Sequence, residues 1–270
     1  MHDPDRLIAM LSRLQLTAVR DRLDTLLDEA ARRALNLREA LTFLCEAEVA
    51  HKDQRRIAMG LRIAKFPFVR TLEAFDYAAQ PSVDAKQVRE LATGRWVAHG
   101  DALLLLGPPG VGKTHLAVAL GREAIVQGYS VLFTTATALM TALSQAHTQG
   151  RLEERLSHYS KPKLLIVDEL GYLPFEPHAA HLFFQLVSRR YERGSLMVTS
   201  NRSVSEWGEV FGDAVVATAI LDRLLHHSQV LTIRGESYRL RTKRRAGLLP
   251  AARYAPGRQQ AEPSPTNPSP

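Results

Sequence analysis

The apolar residues near the start of the chain recur at helical spacing. From Leu7 onward they lie mostly three or four residues apart, which predicts one amphipathic helix or a pair of short ones. A second helix is predicted to begin after Asn36, because Asn36 and Glu39 have the spacing of a capping box, and to end just before Pro67. We therefore expect residues 1–66 to form a small all-α N-terminal domain.

Short apolar runs alternate with helical patterns in the larger, second part of the chain. The predicted strands are residues 103–106, 130–134, 164–167, 196–199 and 230–234. The predicted helices are residues 114–126, 136–145 and 178–191. This alternation predicts an α/β core, a parallel sheet flanked by helices, over residues 101–249, with a connecting segment at 67–100 before it. Residues 250–270 are rich in proline and poor in apolar side chains, so we expect a disordered tail.

Composition and charge narrow the class of protein. At 270 residues, of which 45% are hydrophobic, the chain can bury one substantial core and a smaller accessory domain. No apolar run is long enough to span a membrane and the start lacks a signal-peptide pattern, so we expect a cytoplasmic protein with no membrane partner. The single cysteine, Cys45, excludes an intrachain disulfide and a cysteine-based metal site. A net charge of +7 favours polyanionic partners, nucleic acid first.

A complete phosphate-binding loop stands between the first predicted strand of the core and the helix that follows it. Its glycines let main-chain N–H groups surround the β- and γ-phosphates of ATP or GTP, Lys113 neutralises the phosphates, and the Thr114 hydroxyl reaches Mg²⁺. The expected nucleotide-binding residues are Gly107, Pro108, Pro109, Gly110, Val111, Gly112, Lys113, Thr114 and His115. The alternative is a glycine turn that only joins a strand to a helix, and the complete motif in this context argues against it.

Polar residues follow two of the predicted strands downstream of the loop. Asp168 would organise Mg²⁺ and Glu169 would polarise the attacking water, as a phosphate-loop ATPase requires. The alternative is a pair of acidic residues without catalytic duty, although the distance along the chain from the loop favours the catalytic interpretation. Asn201 ends the next strand, where it could orient the water, contact the γ-phosphate, or simply cap a turn.

Arg223 lies in a short apolar helical stretch and has three interpretations. It could occupy a solvated position, pair with Asp222, or reach the nucleotide site of a neighbouring subunit as an arginine finger. The residues alone leave these interpretations open.

Basic residues recur along the second N-terminal helix at spacings that place most of them on one side. They are Lys52, Arg55, Arg56, Arg62 and Lys65. We call these five residues the basic stripe. It is typical of a surface that contacts DNA phosphates without reading the base sequence, and a solvated charged face is the alternative.

Two further groups have an open role. A second basic cluster precedes the predicted tail, where it could bind DNA or only keep the chain soluble; it consists of Arg241, Lys243, Arg244 and Arg245. Three aromatic residues precede the loop and could line an adenine pocket, although packing in the core is the preferred interpretation. They are Phe75, Tyr77 and Trp96.

Four segments together resemble the IstB-type transposition helper ATPases, which belong to the AAA+ superfamily and are close to the DnaC-type helicase loaders. They are residues 107–117, 165–174, 199–202 and 235–240. The N-terminal segment at 16–23 shares the resemblance, which extends to about residue 245 and omits only the tail.

The resemblance implies a role for each motif. Lys113 and Thr114 belong to the Walker A loop, Asp168 and Glu169 to Walker B, and Asn201 to the sensor-1 position. The implied catalytic residues are Lys113, Glu169, Asn201 and Arg223, the last as an arginine finger, and the implied metal ligands are Thr114 and Asp168. A full C-terminal lid is not expected, because little chain separates Arg223 from the tail, and Arg239 is only a candidate for a second sensor arginine.

The resemblance also implies a function. Such proteins bind ATP and Mg²⁺, assemble as homo-oligomers on double-stranded DNA, and work with a cognate transposase to select target DNA. A replicative helicase loader built on the same core is the alternative. A small-molecule phosphotransferase is more distant, because the Asp168-Glu169 pair suits the activation of water.

Overall fold

The computed structural model describes residues 4–245 apart from Leu173, Pro174 and Glu176. Its helices are α1 (Pro4–Arg13), α2 (Thr17–Asp21), α3 (Leu23–Arg32), α4 (Leu37–Ala64), α5 (Ala85–Ala92), α6 (Arg95–His99), α7 (Lys113–Val126), α8 (Ala136–Thr148), α9 (Leu152–Ser160), α10 (Pro177–Arg190), α11 (Trp207–Phe211), α12 (Ala214–His226) and α13 (Tyr238–Arg245), with a 3₁₀ turn at Val204–Glu206. Its strands are β1 (Ala102–Leu106), β2 (Val131–Thr135), β3 (Leu164–Leu170), β4 (Ser195–Ser200) and β5 (Ser228–Thr232). The predicted tail lies outside the described residues.

The N-terminal helices pack against one another and against the first half of α4. The apolar pattern that predicted one or two helices forms three, α1 to α3. The predicted capping box is present, since the Asn36 side chain accepts from the Glu39 N–H at 3.0 Å and the Glu39 carboxylate accepts from the Asn36 N–H at 2.8 Å. Glu48, buried on α4, accepts from the N–H groups of Ala18 and Val19 at 2.8 and 3.1 Å. This carboxylate satisfies free donors at the start of α2 and so anchors α2 to α4.

Helix α4 connects the N-terminal helices to the rest of the molecule. Its 28 residues span about 42 Å at 1.5 Å per residue. It contacts α2, α3, α7 and β2; Glu48 bonds α2, and Arg56, two turns further on, bonds the end of α7. At Gly60 the two helices α4 and α7 approach closely, because a Cβ there would lie 2.7 Å from Cγ2 of Ile125. Helix α4 therefore packs both against the N-terminal helices and against the α/β core.

The segment predicted as a connection contains two helices that pack on the core. Gly94, at a positive φ of 70°, separates α5 from α6. Trp96 is buried and donates from its indole Nε1 to the Leu91 carbonyl at 2.9 Å, and Val88 and Val97 join the same core as α7. Both helices were missed from sequence because each is short and only packing stabilises it.

The five strands form one parallel sheet in the order β2-β3-β4-β1-β5. Strand β1 lies between β4 and β5, so the chain leaves β1 in the middle of the carboxyl edge of the sheet. This is the edge at which open α/β sheets bind their ligands. The predicted last strand is displaced, since β5 spans Ser228–Thr232 rather than 230–234.

Each face of the sheet is covered by helices, as predicted. Leu103 and Leu105 of β1 pack with α5 to α7, whereas Leu104 and Leu106 pack with the side that holds α8, α10 and α12. All five residues of β1 are apolar because both faces of the strand are buried. Helices α9 and α11 were not predicted, and both are shorter than ten residues. No helix in the described part of the chain combines the length and apolar character needed to cross a membrane.

Candidate nucleotide-binding site

The phosphate-binding loop joins β1 to α7 at the carboxyl edge of the sheet. Two of its glycines are required by close packing as well as by their positive φ angles. A Cβ on Gly107 would lie 2.2 Å from the carbonyl oxygen of Ile233, and one on Gly110 would lie 2.1 Å from the Ser237 hydroxyl. The chain after β5 therefore rests directly on the loop, and only glycine leaves room for it.

Lys113 is folded into the loop. Its Nζ donates to the carbonyls of Gly107 and Pro108 at 2.7 and 2.8 Å. Burial lowers the pKa of the Lys113 ammonium, while the negative charge of Asp168 acts against this and the positive charge of Arg239 adds to it. The side chain is thus held at the place where the motif requires a cation for phosphate.

A hydroxyl on each side fixes the carboxylate of Asp168. The Thr114 hydroxyl lies 3.0 and 3.1 Å from the two oxygens of Asp168 and donates to them, and the Thr199 hydroxyl donates to Oδ1. Burial raises the pKa of Asp168, although these hydrogen bonds oppose the rise. Thr114 and Asp168 are hard oxygen donors at one point, which is the donor set that Mg²⁺ prefers alongside water and phosphate oxygens. The residues present therefore fit a Mg²⁺ ion.

Glu169 occupies an irregular position in β3. The pairing of β3 with β4 shifts register between Val167 and Leu170, and Glu169 has a φ of 64°, in the left-handed region. As a result Glu169 is exposed while its neighbours Asp168 and Leu170 are buried. Bulges and left-handed non-glycine residues cost about 1–3 kcal/mol and occur where a side chain must be turned towards a site.

Thr199 is a site residue that we did not predict. Besides bonding Asp168, its hydroxyl accepts from the Glu169 N–H at 2.9 Å, so one side chain of β4 holds both carboxylate residues of β3. A polar residue that directly follows the apolar run Leu196–Val198 in a fully buried strand was the signal available in the sequence. The sequence pattern could not show that Thr199 bonds Asp168, because Asp168 lies on another strand, β3.

Asn201 follows β4, and β4 pairs with β1 as predicted for a strand beside the loop. The Gly107 N–H donates to the Ser200 carbonyl at 3.1 Å, which places Asn201 next to the loop. Its Oδ1 is buried and has no hydrogen-bond partner within the described residues. The turn is held instead by the Ser200 hydroxyl, which accepts from the Arg202 N–H at 3.1 Å. The alternative in which Asn201 caps the turn therefore has no support in the geometry.

The segment after β5 brings Arg239 to the loop. The Ile233 N–H donates to the Leu106 carbonyl at 2.7 Å, and the Tyr238 N–H donates to the Gly110 carbonyl at 3.0 Å. Residue Gln80 supports this segment by donating from Nε2 to the Glu236 carbonyl at 3.1 Å. Helix α13 thus begins at the loop and contains the second basic cluster, for which no helix was predicted.

A cavity of about 360 Å³ opens between the loop, α13 and the segment before α5. Its lining includes Phe68, Arg70, Phe75, Lys113, Tyr238 and Arg239. Phe75 is the one of the three candidate aromatic residues that reaches this cavity, and Trp96 lies in the core. His115 packs edge-to-face on Phe75, with its Nε2 2.9 Å from the Thr71 carbonyl, and burial lowers the pKa of its ring.

Arg223 lies at the opposite edge of the sheet from the loop. It lines a small cavity together with Asp101 and Ala102, at the amino end of β1, whereas the loop begins at the carboxyl end. The five residues of β1 separate the two ends by roughly 15 Å at about 3.3 Å per residue. The guanidinium stacks over Phe184 at 4.7 Å, and no ion pair joins it to Asp222 in the described part of the chain. Arg223 therefore does not belong to the nucleotide site of its own chain.

The basic stripe is not uniform. Arg55, Arg62 and Lys65 are exposed, and Lys52 lies 3.7 Å from the carboxylate of Glu48. Arg56 is exposed as well, but its guanidinium is bonded to main-chain carbonyls at the end of α7 and to Asp53 at 3.3 Å. In the second cluster Arg241 stacks over Tyr238 at 5.5 Å, and the side chains of residues 243–245 lie outside what the structure describes.

The sheet, the phosphate-binding loop and the carboxylates opposite it define a P-loop protein with the AAA+ fold. The chain belongs to the IstB-like ATP-binding proteins, whose family model matches residues 9–246. It is 48% identical over 249 residues to a Pseudomonas aeruginosa protein named as an ATP-binding protein of insertion sequence IS21, covering 92% of this chain and 93% of that one. It is 45% identical over 240 residues to the corresponding protein of insertion sequence IS5376 from Geobacillus stearothermophilus, covering 89% and 96%.

Solved structures show the same fold at lower sequence identity. DnaI superposes with a TM-score of 0.52 at 23% identity, covering 66% of this chain and 94% of that one. DnaA from Aquifex aeolicus superposes with a TM-score of 0.51 at 21% identity, covering 69% and 58%. At these identities the similarity shows the fold alone.

Proposed function

We propose that this protein is an ATPase that assembles as a homo-oligomer on double-stranded DNA and assists the transposase of its insertion sequence in selecting target DNA. ATP holds the oligomer on DNA, and hydrolysis releases it. The single observation that carries the proposal is the separation of Arg223 from a nucleotide site that is otherwise complete in one chain. For Arg223 to act on ATP, a second copy must bring it to the site.

The residues of one chain supply most of the chemistry. The loop amides and Lys113 hold the phosphates, and Thr114 and Asp168 would hold a Mg²⁺ ion, which would offset the charge on the phosphate oxygens. Glu169, exposed beside Asp168, polarises the attacking water. The buried Oδ1 of Asn201 is an acceptor without a partner in the described structure, which suits it to orient that water.

A neighbouring subunit supplies the remaining charge. Arg223 cannot serve the loop of its own chain, since β1 lies between them. In a ring or spiral, the edge that carries Arg223 faces the loop of the next copy, and its guanidinium stabilises the charge on the γ-phosphate during hydrolysis. ATP bound between two subunits then strengthens their contact, which couples assembly to the nucleotide.

The exposed members of the basic stripe supply the DNA contact. Lys52, Arg55 and Arg62 lie on α4 and Lys65 caps its end, and none of them forms part of a base-reading motif. Binding is therefore expected to be largely independent of sequence and sensitive to salt. The two relatives named above belong to insertion sequences, which favours a transposase as the partner over a replicative helicase.

Electron microscopy of the purified protein with duplex DNA tests the proposal. Rings or filaments on duplex in the presence of ATP, but not ADP, are the expected result. A Lys113→Ala variant, which cannot hold the phosphates, serves as the control and is expected to form neither. Monomers under every condition would overturn the proposal.

A further inference from the structure

A group of three metal-ligand side chains lies at the amino edge of the sheet, away from the phosphate-binding loop. Glu192 follows α10, His226 is the last residue of α12, and His227 caps that helix. One ligand atom from each lies within 4.8 Å of the other two. Within the described ranges, no other group of three His, Cys, Asp or Glu residues meets this condition.

The spacing of the ligand atoms is close to what a metal ion requires. Two ligands of a tetrahedral zinc ion, each bonded at about 2.0–2.1 Å, lie about 3.4 Å apart. Nε2 of His227 is 4.0 Å from Oε1 of Glu192, and the two imidazole rings lie 4.1 Å apart between centroids. All three residues are exposed, so small side-chain rotations bring their ligand atoms to bonding distance without disturbing the core.

A neighbouring tyrosine sets the orientation of one histidine. The Tyr191 hydroxyl lies 2.6 Å from Nδ1 of His226. In the tautomer in which Nδ1–H donates to the Tyr191 oxygen, Nε2 of His226 carries the lone pair that can bind an ion. Metal-binding histidines commonly have their second ring nitrogen held by such a partner, which fixes the ring and its tautomer.

We propose that Glu192, His226 and His227 bind a divalent transition-metal ion of the zinc class, with water completing the coordination. Two imidazoles and one carboxylate favour zinc, cobalt, nickel or copper over Mg²⁺ and Ca²⁺, which prefer oxygen ligands alone. Glu192 and His227 line the same cavity as Arg223, and the Glu192 carboxylate offsets the positive charge there. The ion joins the turn after α10 to the end of α12 and so fixes the helix that carries Arg223. None of the three ligands holds the nucleotide, and Zn²⁺ binding can be measured on the protein without nucleotide, so the inference is tested separately from the proposed function.

Calorimetric titration of the tag-free, full-length protein with Zn²⁺ tests the inference. Nucleotide is left out because phosphates bind the metal, and the absorption spectrum with Co²⁺ reports histidine coordination independently. We expect one Zn²⁺ per chain, bound in the micromolar range or tighter. The variants Glu192→Gln, His226→Asn and His227→Asn are each expected to weaken binding by at least about tenfold, and Tyr191→Phe by less, since it keeps all three ligands.

A second pair of histidines provides the matched control. The rings of His147 and His178 lie 4.5 Å apart between centroids, and this pair is not part of any group of three ligands in the described structure. Replacing both with Asn is expected to leave Zn²⁺ binding unchanged. Thermal unfolding followed by circular dichroism verifies that each variant is folded. Binding by the wild type only at millimolar Zn²⁺, or equal loss in the control, would overturn the inference.

Discussion

Arg56 of α4 donates from Nη1 to the Ile125 carbonyl and from Nη2 to the Val126 carbonyl, each at 3.0 Å. These carbonyls end α7, the helix that begins at Lys113. The guanidinium thus bonds two carbonyls of the last turn of α7, of which that of Ile125 also accepts from the Gly128 N–H at 2.9 Å. Since α4 also carries the exposed members of the basic stripe, this contact joins the proposed DNA surface to the helix of the nucleotide site.

Replacing Arg56 with Ala is expected to lower the free energy of unfolding by about 1–3 kcal/mol, because two charge-assisted hydrogen bonds to helix carbonyls are lost. Urea unfolding measures the change. The neighbouring variant Arg55→Ala is the control, since that exposed side chain makes no such bonds and its loss is expected to cost no more than about 0.5 kcal/mol. Equal effects in the two variants would show that the Arg56 contact contributes nothing.

Replacing Glu169 separates catalysis from backbone strain. Glu169→Gln keeps the shape of the side chain but removes the charge that polarises water, so we expect ATP binding to persist while turnover falls by about 10²-fold or more. Glu169→Gly should lose turnover equally. It should also raise the free energy of unfolding by about 1 kcal/mol, because glycine adopts the left-handed conformation at φ 64° without strain.

Steady-state ATP hydrolysis, fluorescent-nucleotide binding and urea unfolding together measure these effects. Normal turnover in Glu169→Gln would remove Glu169 from the catalytic role. A glycine variant no more stable than wild type would show that no strain is stored at this bulge.

Replacing Thr199 with Val removes the hydroxyl that holds both carboxylate residues of β3. Oδ1 of Asp168 and the Glu169 N–H each lose a buried partner, so the free energy of unfolding should fall by about 1–3 kcal/mol. Mg²⁺-dependent ATP hydrolysis should fall as well. Thr218→Val is the control, because the Thr218 hydroxyl bonds only to the Ala214 carbonyl on the exposed face of α12. Unchanged Mg²⁺ dependence in Thr199→Val would contradict a positioning role for Thr199.

Replacing Arg223 with Ala is expected to abolish turnover and leave ATP binding by the isolated chain intact, because Arg223 lies at the far edge of the sheet. Mixing this variant with Lys113→Ala should restore part of the activity. In such a mixture an intact loop on one chain can meet an intact Arg223 on the next. ATPase assays across mixing ratios measure the rescue, and activity no higher than the sum of the two variants would refute action between subunits.

Replacing Arg55 and Arg62 with Ala is expected to weaken duplex binding regardless of sequence. It should also reduce the slope of log affinity against log salt by about 2, since each phosphate contact contributes about 0.9. Fluorescence anisotropy with two unrelated duplexes at several salt concentrations provides the measurement. The exposed Arg95 and Arg151, remote in sequence from α4, serve as the control pair. If the control pair changes the slope as much, binding reflects net charge and not the basic stripe.

Local patterns in the chain were enough to predict much of the architecture. The capping box at Asn36, the phosphate-binding loop and the apolar runs of β1 and β3 depend on neighbouring residues, and all of them can be recognised in the sequence. The prediction failed for α5, α6, α9 and α11, which are short and whose apolar residues are stabilised only by burial against distant elements, and for the short basic helix α13. The predicted bounds of β5, 230–234, are two residues too late, because this edge strand is also defined by its pairing with a distant strand, β1.

The sequence by itself determined that this chain contains an α/β core with an ATP-type loop and candidate residues to act on its phosphates. Only the tertiary structure decided how those residues are held. Thr199 meets Asp168 because β4 lies beside β3, and Arg56 bonds the end of α7 because α4 packs against that helix. Such contacts join residues tens of positions apart, and they depend on the packing of whole elements, which no local pattern specifies.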